Sequence, residues 1–126
     1  MHALVADDSR IFRAWIVDLL KEKEFEVDEA ANGREALDKT LSLRPELLVL
    51  DALMPFLSGF DVITSLREKL PDYKPIIFLV TAVYKSKRWE SEAKQQYHVQ
   101  EYLEKPLEES TFFAALSRHF PYLVQG

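Results

Sequence analysis

Apolar and polar residues alternate along this chain in two rhythms. Unbroken apolar runs at residues 3–6, 47–50 and 76–80 predict strands buried on both faces. A weaker run at residues 26–30 predicts an edge strand, and residues 99–103 a fifth strand. Between these runs the apolar positions recur at helical spacing. Ser9 is placed to cap a first helix whose inward face carries Ile11, Phe12, Trp15, Ile16, Leu19 and Leu20. Asn32 with Glu35 opens a second helix, which Arg44-Pro45 ends. The Ser58-Gly59 turn leads to a third helix with Phe60, Ile63, Leu66 and Leu70 inward, stopped by Pro71. A thin stripe of Trp89, Ala93 and Tyr97 marks a fourth helix at residues 86–97. Phe112, Phe113 and Leu116 mark a fifth at residues 109–118.

Strand and helix thus alternate five times. With right-handed crossovers this predicts an α/β fold, a doubly wound parallel five-stranded sheet covered on both faces. The weak second strand suits an edge, as in the flavodoxin-like order 2-1-3-4-5. That order sets the ends of the first and third strands side by side. Asp7 and Asp8 follow the first strand, Asp51 the third, Thr81 the fourth and Lys105 the fifth. Each residue has a plain structural explanation by itself: Asp7-Asp8 as a helix cap, Asp51 as a turn residue, Thr81 as a cap or strand former, Lys105 as a solvated charge. Their recurrence after successive strands puts all five on the sheet edge where open α/β folds bind ligands.

Composition narrows the class further. A length of 126 residues fits one domain spanning 1–126, and no output domain is expected within it. The net charge of -5 argues against nucleic acid as a direct partner. The absence of cysteine removes disulfides, thiolate metal sites and cysteine nucleophiles. No apolar run is long enough for a membrane span, and Asp7-Asp8 interrupt any signal-peptide core, so a cytoplasmic location is expected.

Three carboxylates on one edge make a site for a hard cation such as Mg²⁺, which takes oxygen ligands and keeps several waters. The chemistry that fits is phosphorylation of a carboxylate, with Asp51 as the nucleophile. Phosphoryl transfer needs positioning and charge neutralisation more than covalent help. The Lys105 ammonium and the Thr81 hydroxyl are suited to hold phosphoryl oxygens. An ionised aspartate needs no general base.

The set Asp7-Asp8, Asp51 with Met54-Pro55 and Gly59, Thr81-Ala82, and Lys105-Pro106 resembles the CheY-like receiver domain of bacterial two-component response regulators. The resemblance spans essentially the whole chain. It implies that Asp51 accepts phosphate from a sensor histidine kinase or a histidine phosphotransfer protein. It implies Mg²⁺ held by Asp8, Asp51 and the Leu53 backbone carbonyl, with Asp7 acting through water. Thr81 and Tyr102 match the family's switch pair, which acts on the face formed by the fourth helix, fifth strand and fifth helix. A cis Lys105-Pro106 bond and a monomer, or a dimer formed on phosphorylation, are implied as well.

The chain departs from the family pattern at several points. His98 stands where receivers usually have glycine, so this turn either places a histidine at positive φ or takes another form. The stretch from Thr81 to Lys105 is about two residues longer than in a typical member, and the extra length carries Lys85, Lys87 and Arg88 in what reads as a solvated loop. Leu53 and Val83, which in receivers border the approach of a hydrolytic water, are both apolar. The C-terminal run 120–124 is expected to pack on the domain, mediate dimerisation or lead into a linker. A dehalogenase-type phosphatase also uses an aspartate after a strand, but requires a second aspartate where Leu53 stands. A receiver that has become a phosphorylation-independent binding scaffold is the remaining alternative.

Overall fold

The computed structural model describes residues 1–123. Its elements run β1 (His2–Ala6), α1 (Arg10–Glu22), β2 (Glu26–Ala30), α2 (Gly33–Leu43), β3 (Leu47–Asp51), α3 (Gly59–Lys69), β4 (Ile76–Thr81), α4 (Lys87–Gln96), β5 (Glu101–Glu104), α5 (Glu109–His119) and a short 3-10 turn, Pro121–Leu123. The five strands form one parallel sheet in the order β2-β1-β3-β4-β5, as the alternation predicts.

Side chains of a strand point alternately to opposite faces, so each central strand feeds two cores. Leu4, Ala6, Leu48, Leu50, Ile77 and Leu79 pack with Ala36, Val62, Ile63 and Ala93. Ala3, Val5, Leu47, Val49, Phe78 and Val80 pack with Ile16, Leu20, Phe112 and Leu116 on the other side. Every residue of β3 is buried, whereas Glu26 and Glu29 of β2 lie exposed, as an edge requires.

Helix starts follow the polar residues read as caps. Ser9 Oγ accepts the Phe12 N–H at 3.3 Å and Asn32 Oδ1 accepts the Glu35 N–H at 2.8 Å. Ser58 and Asp61 form a reciprocal capping box. Since Ser9 caps α1, Asp7 and Asp8 are not spent as its N-cap.

Four expectations need correction. Ile11 is 86% exposed, because a residue five positions before Ile16 lies about 140° round the helix from it. Val17 takes a place on the buried face instead. Trp89 is 38% exposed and Ala93 is the one buried residue of α4, so this helix rests on the sheet through a narrower contact than its stripe suggests. Phe113 is only half-buried. The fifth strand starts at Glu101, not at residue 99. The chain leaves α4 through His98 at φ 55, confirming the positive-φ turn, and Val99 packs under the helix. Gln100 meets Ile77 through both its backbone N–H and its side-chain Oε1, and the ladder pairing begins at the next residue. Of the C-terminal run, Phe120 is buried edge-on to Phe25 at 5.5 Å and Tyr122 is exposed, while Val124 lies outside the described residues.

The loop after β3 is wedged against the start of α2. A Cβ built on Gly33 would lie 1.9 Å from the Leu57 carbonyl oxygen, and the Gly33 N–H donates to the Pro55 carbonyl at 3.1 Å. The nearest atoms are the Leu57 carbonyl group and its Cβ, none of them the far end of a flexible side chain. Gly33→Ala is therefore expected to destabilise the protein by roughly 1–3 kcal/mol, the usual range for overpacking. A thermal midpoint equal to wild type would show that the loop gives way freely.

Candidate functional site

The ends of β1 and β3 place their carboxylates together. Asp7, Asp8 and Asp51 each offer an oxygen, and these three atoms lie within 4.8 Å of one another. Asp7 is 1% exposed and Asp51 7%, while Asp8 faces solvent. Burial of this kind demands compensation. Lys105, leaving the end of β5, supplies it: its Nζ stands 2.8 Å from Asp7 Oδ2 and 3.5 Å from Asp51 Oδ2. Asp7 Oδ1 accepts the Ser9 N–H at 2.8 Å and Asp51 Oδ1 the Leu53 N–H at 3.3 Å. The Lys105–Pro106 bond is cis, as the resemblance implies.

One ammonium does not neutralise three carboxylates, and the remainder, three negative charges less one positive, is -2. Asp51 carries the consequence. Its burial, and then the neighbouring Asp7, push its pKa up to about 6 against the opposing pull of Lys105. The donor set is all oxygen and in excess of its counter-charge, which fits a hard divalent cation.

Thr81 ends β4, the strand next to Asp51. Its Oγ1 accepts two backbone N–H groups of the following loop, from Val83 at 3.0 Å and Tyr84 at 2.9 Å. Tyr102, on β5, is buried, and its hydroxyl donates to the Tyr84 carbonyl. Burial, then Glu104 and Glu90, push the phenol pKa up to about 12, so it stays a neutral donor. Thr81 and Tyr102 are thus tied to one another through a single loop residue.

Other residues singled out by the sequence fall elsewhere. Leu53 and Val83 are exposed at 52% and 61%. Lys85, Lys87 and Arg88 are exposed and form no ion pair among the described residues, so the cluster is solvated, but only Lys85 lies in the loop, whereas Lys87 and Arg88 open α4. His98 is exposed on the turn after α4. Three neighbours of the site escaped the pattern. Tyr84 contributes through its backbone. Arg13 donates from Nη1 to the Asp7 carbonyl at 2.7 Å. Phe12, grouped with the core stripe of α1, lies with its ring centroid 4.2 Å from Lys105 Nζ.

The response regulator receiver domain model matches residues 3–117 of the chain. The chain belongs to this family. A receiver domain is a phosphoacceptor signalling module that takes phosphate from histidine kinases or phosphotransfer proteins. Over 108 residues, 84% of the chain, it is 35% identical to a protein-glutamate methylesterase/protein-glutamine glutaminase of Geobacillus kaustophilus, covering 30% of that protein. It is 34% identical over 77 residues to the chemotaxis protein CheY of Thermotoga maritima, covering 60% of this receiver domain and 64% of CheY. The matched stretches therefore span less than two thirds of these curated relatives. The chemotaxis response regulator CheY4 of Vibrio cholerae superposes with a TM-score of 0.83 at 28% identity, over 93% of this chain and 96% of that one. Among the described residues no helix of this receiver domain is long and apolar enough to cross a membrane.

The raised pKa has a measurable consequence. Between the ordinary aspartate value of 3.8 and about 6, the folded receiver domain holds a proton on Asp51 that the unfolded chain has released. Stability in cation-free buffer therefore falls as pH rises through that window and stays lower above it. Asp51→Asn is expected to raise stability at pH 7.5 in EDTA by about 1–3 kcal/mol, with the gain vanishing near pH 4. Denaturant titrations at both pH values check this, and equal stability of the two proteins at pH 7.5 would contradict it.

Proposed function

We propose that Asp51 is the phosphoacceptor of a Mg²⁺-dependent phosphoryl transfer from a histidine kinase or a histidine phosphotransfer protein. The observation that carries this reading is the convergence of three carboxylates within 4.8 Å around a lysine that is ion-paired with two of them. An Asp51 carboxylate oxygen attacks phosphorus, the phosphorus–nitrogen bond of phosphohistidine breaks, and its electron pair leaves with the imidazole. The product is an acyl phosphate on Asp51. Asp8, Asp51 and the Leu53 carbonyl are the residues suited to hold Mg²⁺, with Asp7 acting through water. When bound, the ion neutralises charge on the transferring group. Lys105, already between Asp7 and Asp51, needs only a short shift to meet a phosphoryl oxygen.

Thr81 is the second group for that phosphoryl. To donate to it, the hydroxyl must turn from a loop that now delivers two N–H groups to its oxygen. Tyr102 grips the same loop at Tyr84, so loosening one contact disturbs the other. An inward turn of Tyr102 is not required, because its ring is already buried, 8% exposed. The signal leaves instead through the loop and the lightly anchored α4, toward the face formed by α4, β5 and α5. A cytoplasmic module that is monomeric, or dimerises on phosphorylation, suits this reading, as does a downstream protein or output domain as its target.

Acetyl phosphate with Mg²⁺ is expected to label the wild-type protein at one site, while Asp51→Asn abolishes labelling and leaves the fold intact. Asp8→Ala should raise the Mg²⁺ concentration needed. Labelling of Asp51→Asn at the wild-type level would overturn the assignment, and no labelling of wild type would return the chain to a binding scaffold.

The acyl phosphate should be comparatively long-lived. Orienting an attacking water needs a hydrogen-bonding side chain beside the acceptor. Leu53 and Val83 provide none. Ser86, further along the same loop, is engaged as the N-cap of α4, 3.3 Å from the Trp89 N–H. Leu53→Asn and Val83→Glu should each speed decay of purified phosphoprotein several-fold. Slower decay in both variants would mean that the native loop already orients the water.

A further inference from the structure

Lys105 has a third close neighbour besides its two carboxylates. The Phe12 ring centroid lies 4.2 Å from its Nζ, against 2.8 Å to Asp7 Oδ2 and 3.5 Å to Asp51 Oδ2. The Lys105 side chain is only 17% exposed, and these three groups stand close to its ammonium. Phe12 is itself braced: its ring sits 5.8 Å from Trp15, one turn further along α1. We infer that Phe12 is a positioning residue for phosphoryl transfer, holding the Lys105 ammonium at the mouth of the site through its ring face. This rests on the reading of Asp51 as phosphoacceptor.

An aromatic ring offers a lysine something that a third carboxylate does not. A lysine ammonium is a compact charge on four flexible carbons, and by itself it samples many rotamers. The negative face of an aromatic ring attracts it without a directional hydrogen bond. The contact therefore limits where the ammonium goes but leaves its N–H donors for oxygens. A carboxylate in the same place would draw the ammonium from the arriving phosphoryl group and add to the excess negative charge. An aliphatic side chain there would fill space but exert no pull on the charge. The ring also shields one flank of the ion pairs from water, which strengthens them.

Two measurements test this. In the wild-type NMR spectrum the ε-methylene protons of Lys105 should resonate upfield of other lysines, shifted by the ring current of Phe12, and should return to the ordinary position in Phe12→Leu. Lys105 signals at the ordinary position in wild type would overturn the inference without any variant having to fold. In acetyl phosphate labelling, Phe12→Leu should slow the reaction about three- to tenfold, the factor a partly desolvated cation–π contact supplies. Phe12→Tyr, which keeps the ring, should restore the rate. In a Lys105→Met background the same Phe12→Leu change should cost nothing further. A wild-type rate in Phe12→Leu would overturn the role of Phe12, and so would an equal loss in both backgrounds, which marks a purely structural effect. Neither result touches Asp51, whose assignment falls only if Asp51→Asn is still labelled.

Discussion

Lys105 reaches from the end of β5 to carboxylates at the ends of β1 and β3, and the site depends on that one ammonium. Asp7 is almost as deeply buried as the core leucines, and an unpaired charge there would cost several kcal/mol. With Lys105 in place the cost is offset but not cancelled, because Asp8 and Asp51 still crowd the same edge. The residual negative charge is the property the fold keeps for function. It favours a cation, and together with burial, the larger cause, it holds the Asp51 carboxyl above the ordinary aspartate value when no cation is bound.

The rest of the architecture serves to hold those three strand ends in register. β3 lies between β1 and β4 with every residue buried, so its last residue has little freedom to move. Gly33 and Gly59 let neighbouring backbone approach the loop after Asp51 closely. A Cβ at Gly59 would stand 2.5 Å from the Asp51 carbonyl oxygen. Rigidity there contrasts with the other side of the site. The loop after β4 is secured by hydrogen bonds to Thr81 and Tyr102, and the helix it leads into buries only Ala93. Tyr84, Trp89, Phe60 and Tyr97 give that helix an aromatic underlay, with the Tyr84 and Trp89 rings 4.6 Å apart and those of Phe60 and Tyr97 4.9 Å apart. A fixed acceptor beside an element of few buried contacts is an arrangement in which a local charge change can be felt at a distance.

Much of this could be read from the chain without coordinates. Buried parallel strands must be apolar throughout, so 47–50 and 76–80 announced themselves, and a polar residue ending such a strand can only emerge at the sheet edge. Asp7, Asp8, Asp51, Thr81 and Lys105 were legible for that reason, as were the strand order and the caps at Ser9 and Asn32; Ser58 was legible as a turn residue but not as the cap of α3. Helix faces were less so. Ile11 looked like part of a stripe because a six-residue apolar set tolerates one outlier in either direction.

Only the tertiary structure decided which groups touch. Spacing along the chain says that Lys105 lies on the same edge as Asp7, but not that its ammonium prefers Asp7 over Asp51 or rests on Phe12. No local signal distinguishes Tyr84 from its loop neighbours. Its importance comes from a backbone N–H aimed at Thr81 and a carbonyl aimed at Tyr102, and both depend on where β4 and β5 set the loop. Backbone groups are chemically the same at almost every residue, so sequence determines which side chains are present at an edge, and packing determines which of them, and which stretches of main chain, meet.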